Sequence, residues 1–168
     1  MKRIGLPIPL PSFETVNHLL AYCPETGDLT RKVRIGRLKV GAIAGYITAG
    51  GYRSVTVNGC WVQAHRLAWL LFYGVDPIAE IDHINGVKTD NRILNLRIAS
   101  KAENCRNRKL HRTNSSGYKG VSWHKKLSKW QATLNGKYLG YFVNKEDAVA
   151  CVRAARTLAH GAFANHGA

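Results

Sequence analysis

Asn58-Gly59 stands between "GYRSVTV" (51–57) and "CWVQA" (60–64), two short runs rich in β-branched and aromatic residues. A two-residue hairpin loop needs positive φ at both central positions, which Asn-Gly adopts at little cost. The dipeptide therefore predicts an antiparallel hairpin, paired with its immediate neighbour in sequence. "HRLAWLLFY" (65–73) follows as a helix ended by Gly74. A second Asn-Gly, at 135–136, separates "KWQATLN" (129–135) from "KYLGYF" (137–142), with "YKGVSWH" (118–124) as a further strand. Hairpins and helices grouped in this way place the chain in the α+β class.

The remaining pattern completes two modules. A short helix is expected over Phe13–Tyr22, then the turn "PETGDL" and the strand-like "LTRKVRI". "NLRIA" (95–99) reads as a short strand, and Ser100 with Glu103 three residues on forms a capping-box pattern, so a helix should run from Ser100 to about Leu110. "KLHRTNSSG" (109–117) is polar and basic, and reads as a linker. Beyond the last strand Asn144 can cap a helix whose apolar stripe is Ala148, Cys151, Val152, Ala155, Leu158 and Ala159. The organisation expected is a domain over 1–108, a linker over 109–117 and a second domain over 118–168.

Charge indicates the partner. Lys and Arg outnumber Asp and Glu by 25 to 10, and from Asn91 to Lys145 there are thirteen basic residues against one acid, Glu103. So one-sided a stretch calls for a polyanion. Nucleic acid is favoured over a membrane surface because no strongly amphipathic helix accompanies the charge. No apolar run approaches the roughly 18–20 residues of a membrane span, and "MKRIGLPIPLPSF" lacks the apolar core of a signal peptide. A cytoplasmic protein is expected. Cys23, Cys60, Cys105 and Cys151 are too widely spaced for a C-x-x-C pair, so they read as inert or buried thiols, with no structural zinc.

The chemistry lies in "IDHINGVKTDNRILNLRIAS" (81–100). Hydrolysis of a phosphodiester needs an activated water, a cation on the phosphate and a group that holds the base in line. A histidine near neutrality suits the base, while a carboxylate and an amide oxygen suit a hard cation. Asp82 and His83 offer both, because neighbouring strand residues point to opposite faces. Asn85-Gly86, Asp90 and Asn91 read as turn and loop-pinning residues.

"DHINGVKTDNRILNLR…SKAENCRN" resembles the HNH endonucleases of phages and introns, and the likeness reaches upstream through "CPETGDL", "GYRSVTVNGCWVQAHRLAW" and "YGVDP", over about residues 13–110. The resemblance implies a ββα-metal (His-Me finger) motif at about 81–108. It makes His83 the general base, Asn95 the residue that pins the loop and orients the histidine, and Asp82 and Asn104 the metal ligands. Many such enzymes carry histidine where Asn104 stands; the amide favours a hard, oxygen-bound cation, Mg²⁺ or Mn²⁺. His65 and Arg66 match the "HRLAW" segment of these enzymes, and Arg66 could contact a phosphate or simply hold the hairpin at the helix start. The other basic residues expected to contact DNA are Arg106, Arg108, Lys109, Arg112 and Lys126.

"SGYKGVSWHKKLSKWQATLNGKYLGYF…EDAVACVRAARTLAHG" resembles the Apetala/ethylene-response-factor type of DNA-binding domain, over about 114–164. That family lays a three-stranded antiparallel sheet in the major groove with one helix packed behind it. By position Lys119, Ser122, His124, Thr133, Asn135 and Tyr138 match groove-facing places. Alternation independently puts Val121, Trp123, Trp130, Ala132 and Leu134 on the helix side.

The function these readings imply is that of a metal-dependent endonuclease of homing or phage type. It would cut double-stranded DNA to 5′-phosphate and 3′-hydroxyl ends, in the cytoplasm of a bacterial host, as a monomer or weak dimer with no small-molecule substrate. The rival is a non-catalytic DNA-binding regulator built on an inactive nuclease fold.

Overall fold

A computed structural model describes residues 10–106, 110–111 and 113–166. The chain divides into two units, 1–99 and 100–168. Among the described residues no helix is long and apolar enough to cross a membrane.

In the first unit α1 (Phe13–Leu19) is capped by Ser12, whose side chain accepts from the Thr15 amide. The helix stops earlier than its sequence suggests. Leu20–Tyr22 turns extended as β1 and pairs antiparallel with β2 (Leu29–Arg31), which buries Leu20 and Leu29 together. A two-residue strand, β3 (Tyr46–Ile47), then joins the hairpin of β4 (Arg53–Val57) and β5 (Cys60–Gln63). Asn58 and Gly59 take φ of 47° and 78°, the two positive values the dipeptide promised.

β5 runs directly into α2 (Ala64–Tyr73), which Gly74 ends with φ 74°. This helix is the scaffold of the unit. Ala64, Leu67 and Leu70 pack with Val55, Val57 and Val62 of the hairpin and with Val16, Leu20 and Leu29. Full burial of a leucine contributes about 1.5–3 kcal/mol, so these contacts dominate local stability. Ala68 meets Ile81 and Leu96 of a second hairpin, β6 (Glu80–His83) with β7 (Leu96–Ala99). A single 3₁₀ turn, Ile93–Asn95, leads into β7, so Asn95 lies before the strand and not within it.

In the second unit α3 (Lys101–Arg106) begins as its capping box predicts. The Ser100 amide donates to Glu103 Oε2 at 2.8 Å and the Glu103 amide to Ser100 Oγ at 3.3 Å. The rest of the helix expected to Leu110 lies outside the described residues. A three-stranded antiparallel sheet follows, β8 (Val121–His124), β9 (Lys129–Leu134) and β10 (Lys137–Phe142), in the order β10-β9-β8. α4 (Lys145–His160) covers one face, with Ala148, Val149 and Val152 against Val121 and Ala132. Gly120 (φ 76°) lets the chain pass tight under Thr133, where a Cβ would collide with the Thr133 carbonyl.

Three expectations fail here. Leu158 is 91% exposed, because the buried stripe runs through Val149, Val152 and Arg156. Asn144 does not cap the backbone through its side chain; its amide donates to Asp147 Oδ2. Trp130 packs on the core but Trp123, its partner across the β8–β9 hairpin, is 46% exposed. All four cysteines are free; Cys60 and Cys105 are exposed, and Cys23 and Cys151 half-buried.

Candidate active site

The β6–β7 register decides which way each side chain of the Asp82-His83 pair points. Ile81 faces Ile98, Asp82 faces Arg97 and His83 faces Leu96. Ile81 and His83 share the side that packs on α2, while Asp82 takes the other. There Arg97 donates twice to Asp82 Oδ2, from Nε at 2.9 Å and Nη2 at 2.7 Å. Both acid and base are buried, each only 4% exposed.

After His83 the chain leaves β6 in a loop built from its own amides. Asn85 Oδ1 accepts from the Val87 amide, and Gly86 takes positive φ. This is the turn chemistry expected of Asn-Gly. Asn95 binds the loop at three points: its Oδ1 accepts from the Asn85 amide (3.0 Å), and its Nδ2 donates to Asn85 Oδ1 (3.0 Å) and to the Asp90 carbonyl (2.8 Å). Asp90 accepts from Arg92 and from Asn85 Nδ2, and the Arg92 hydrogen bonds hold its carboxyl down to about 2.

The loop returns Asn91 to the histidine. His83 Nε2 donates to Asn91 Oδ1 at 3.1 Å. An amide oxygen only accepts, so Nε2 carries the proton and Nδ1 is the ring's basic nitrogen. Asn91 is fixed in turn: it is 2% exposed, and the Tyr22 hydroxyl donates to its carbonyl at 2.7 Å. The turn 24–27 lies against the same place, with the Ile93 amide donating to the Pro24 carbonyl. Gly27 (φ 79°) permits this, since a Cβ there would come within 2.5 Å of the Arg92 nitrogen.

Burial lowers the pKa of His83, an effect that the Asn91 hydrogen bond and the charges of Asp82 and Asp90 oppose and that Lys88 reinforces. The ring is therefore neutral at pH 7. Beside it stands His65, 5% exposed, its ring edge-on to His83 with centroids 5.1 Å apart. Burial, then His83 and Arg66, push His65 down to about 3. Tyr52 completes a three-ring cluster, 5.6 Å from His65 and 6.1 Å from His83.

Residues 62–106 match the family model described as HNH endonuclease. Protein 3.8 of Escherichia phage T7 is 36% identical over 87 residues, which cover 50% of this chain and 72% of the relative. The chain belongs to the HNH endonuclease family. A solved structure, described as DNA binding and cleavage by the HNH homing endonuclease I-HmuI, is 23% identical with a TM-score of 0.42. That match takes in 60% of this chain, which spans 57% of the length of that one.

The HNH segment holds His65, Asp82, His83, Asn91, Asn95 and Asn104. Of the residues singled out in sequence, the first unit brings together Asp82, His83 and Asn95. Asn95 ties down the loop, whereas the histidine ring bonds to Asn91, whose part in holding His83 sequence reasoning missed. Arg66 makes an ion pair with Asp76 at 2.8 Å, which fixes it beside the helix start. Asn104 belongs to the second unit, half-buried on α3 with its amide donating to the Ser100 carbonyl. Arg106 ends the described part of α3, and Arg108, Lys109 and Arg112 lie outside the described residues.

In the sheet, Ser122 pairs with Gln131 and Gln131 with Tyr141, His124 pairs with Lys129, and Thr133 with Tyr138. This register puts Ser122, His124, Thr133 and Tyr138 on the face that α4 leaves open. Tyr141 joins them, its ring 5.1 Å from His124 and 5.0 Å from Tyr138. Two expected members turn elsewhere. Lys119 Nζ donates to the Asn165 carbonyl beyond α4, and Asn135 forms the hairpin turn (φ 51°) with its amide 3.5 Å from His160 of α4. Lys126 is exposed in the 3₁₀ turn between β8 and β9.

Proposed function

We propose that this HNH protein is a divalent-metal-dependent DNA endonuclease. The observation that carries the reading is the buried, neutral His83, whose Nε2–H donates to Asn91 so that the basic nitrogen of the ring is Nδ1, with the carboxylate of Asp82 next to it in sequence. In this reading His83 Nδ1 takes a proton from water, the water oxygen attacks phosphorus, and the 3′ oxygen departs in line. Asn91 holds the ring in the reactive tautomer, and Asn95 holds the loop that delivers Asn91.

Asp82 and Asn104 are the proposed metal ligands. Carboxylate and amide oxygens form a hard donor set, which fits Mg²⁺ or Mn²⁺ better than zinc. Such a cation, when bound, would stabilise negative charge on the phosphate and the leaving oxygen.

Residues 118–168, within the second unit, are proposed to hold the duplex as an Apetala/ethylene-response-factor-type domain, joined by a linker over 109–117 to a nuclease domain over 1–108. Its open sheet face offers Ser122, His124, Thr133 and Tyr138 to base edges, while Arg106, Arg108, Lys109, Arg112 and Lys126 supply salt-dependent phosphate contacts. Incubation of the full chain with supercoiled plasmid and Mg²⁺ or Mn²⁺ tests the reading. Nicked or linear products whose ends are ligatable 5′-phosphate and 3′-hydroxyl support it; binding without any product refutes it.

A further inference from the structure

We propose that His65 and Tyr52 are positioning residues for the HNH base, two rings that fix the plane of the His83 imidazole. The inference rests on the reading of His83 as that base.

The geometry begins with a limitation of β6. A strand sets where Cβ of His83 points, but χ2 of histidine is a soft, broad torsion, so the ring plane must be set by neighbours. The bond from Nε2 to Asn91 constrains one edge of the ring. A hydrogen bond at one ring nitrogen fixes that nitrogen better than it fixes the ring plane, so rings packed on the flanks also bear on where Nδ1 points.

α2 closes the other side. His65 lies three residues before Ala68, which packs on Ile81 and Leu96, so the helix face that meets β6 and β7 also delivers His65 to His83. The two rings meet at 86°, an edge-to-face contact that a large tilt of either ring would break. Tyr52, entering β4, supports both rings at once, tilted 56° to His65 and 47° to His83. Lys88 locks Tyr52 from the loop itself: its Nζ stands 4.6 Å above the Tyr52 ring and donates to the Gly50 carbonyl at 2.9 Å. Three separate segments thus converge on one ring plane, and burial keeps His65 uncharged, so it offers shape without repelling a protonated His83.

The test compares His65→Leu and Tyr52→Leu with His65→Phe and Tyr52→Phe in the full-length protein. Each is studied by long-range ¹H–¹⁵N correlation of the histidine rings without added metal, and by cleavage kinetics on a duplex with Mg²⁺. The parent is expected to show His83 as one Nε2–H tautomer. The leucine variants should show that signal averaged or broadened, with kcat lower by about tenfold to a hundredfold and KM for DNA unchanged. The phenylalanine variants, which keep a flat ring, should restore most of both. Leucine variants that keep a single Nε2–H tautomer overturn the proposal, as does a loss of kcat that only follows the unfolded fraction in thermal melts. Should His65→Leu fail to fold, the half-exposed Tyr52 carries the same comparison. A parent that cleaves nothing refutes the nuclease reading, and the tautomer comparison still decides the positioning.

Discussion

His65 makes the stability of the first unit depend on pH between its ordinary and its folded pKa. Its pKa falls from an ordinary 6.5 to about 3 in the fold, because protonation would bury a charge beside His83 and Arg66. The sign follows from proton counting. Below pH 6.5 the unfolded chain binds a proton that the folded one refuses, so stability is complete above 6.5 and drains away as pH falls toward 3. At pH 5 the gap from 6.5 is about one and a half units, worth about 2 kcal/mol at 1.36 kcal/mol per unit. His83, also shifted down by burial, acts in the same direction. Asp90, at about 2 in the fold, contributes only at more acid pH. Urea unfolding at pH 7 and pH 5, read by amide exchange in the Arg53–Gln63 hairpin, should reveal the loss. His65→Gln should be less stable at pH 7 and lose about 2 kcal/mol less than the parent on going to pH 5. A parent equally stable at both values, or a glutamine variant with the parent's full loss, would refute the reasoning.

Three further outcomes are expected. Asn95→Ala removes the three side-chain bonds that pin the loop, so it should cost about 2 kcal/mol and speed exchange at the Asn85 amide; unchanged exchange there would show that the loop holds itself. Asn104→Ala should abolish cleavage with little change in melting temperature, Asn104→Asp should keep part of it, and Asn104→His should shift preference among Mg²⁺, Mn²⁺, Co²⁺ and Ni²⁺ toward the softer ions. Unmoved ion preference, with losses that track melting, would make Asn104 structural. Lys126→Ala should lower the slope of log affinity against log salt by about 1 without altering sequence preference, measured by duplex binding across ionic strength.

Local chemistry was legible in the sequence where a residue's own backbone decides the outcome. Asn58-Gly59 and the Ser100–Glu103 box are of this kind: a positive φ and a reciprocal cap each act within four residues. β3 could not be read, because two residues owe their extended state to β4 beside them. Leu158 looked like stripe and is solvent-exposed, since the rotation of α4 is set by the sheet it packs on, with Arg156 donating to the Lys119 carbonyl in the buried line.

At the site the same distinction holds. Asp82, His83 and Asn95 stand out as a spaced set within twenty residues. Their partners do not. That Arg97 would face Asp82 depends on the β6–β7 register, and that Asn91 would reach His83 Nε2 depends on how the loop between them closes. The meeting of Tyr52, His65 and His83 depends on α2 lying between two hairpins, which no short stretch encodes. A histidine at the start of an apolar helix was the one available signal, and it pointed to holding the hairpin as readily as to function.

The central claim is that His83 is the base of a DNA-cleaving site. Single-turnover cleavage of a duplex by the parent and by His83→Ala, with Mg²⁺ and at matched DNA occupancy, tests it most directly. A general base typically contributes about 10²–10⁴ in rate, so the variant should bind the duplex as the parent does and cut at least a hundredfold more slowly. A His83→Ala protein that cuts within about tenfold of the parent would remove His83 from the chemistry.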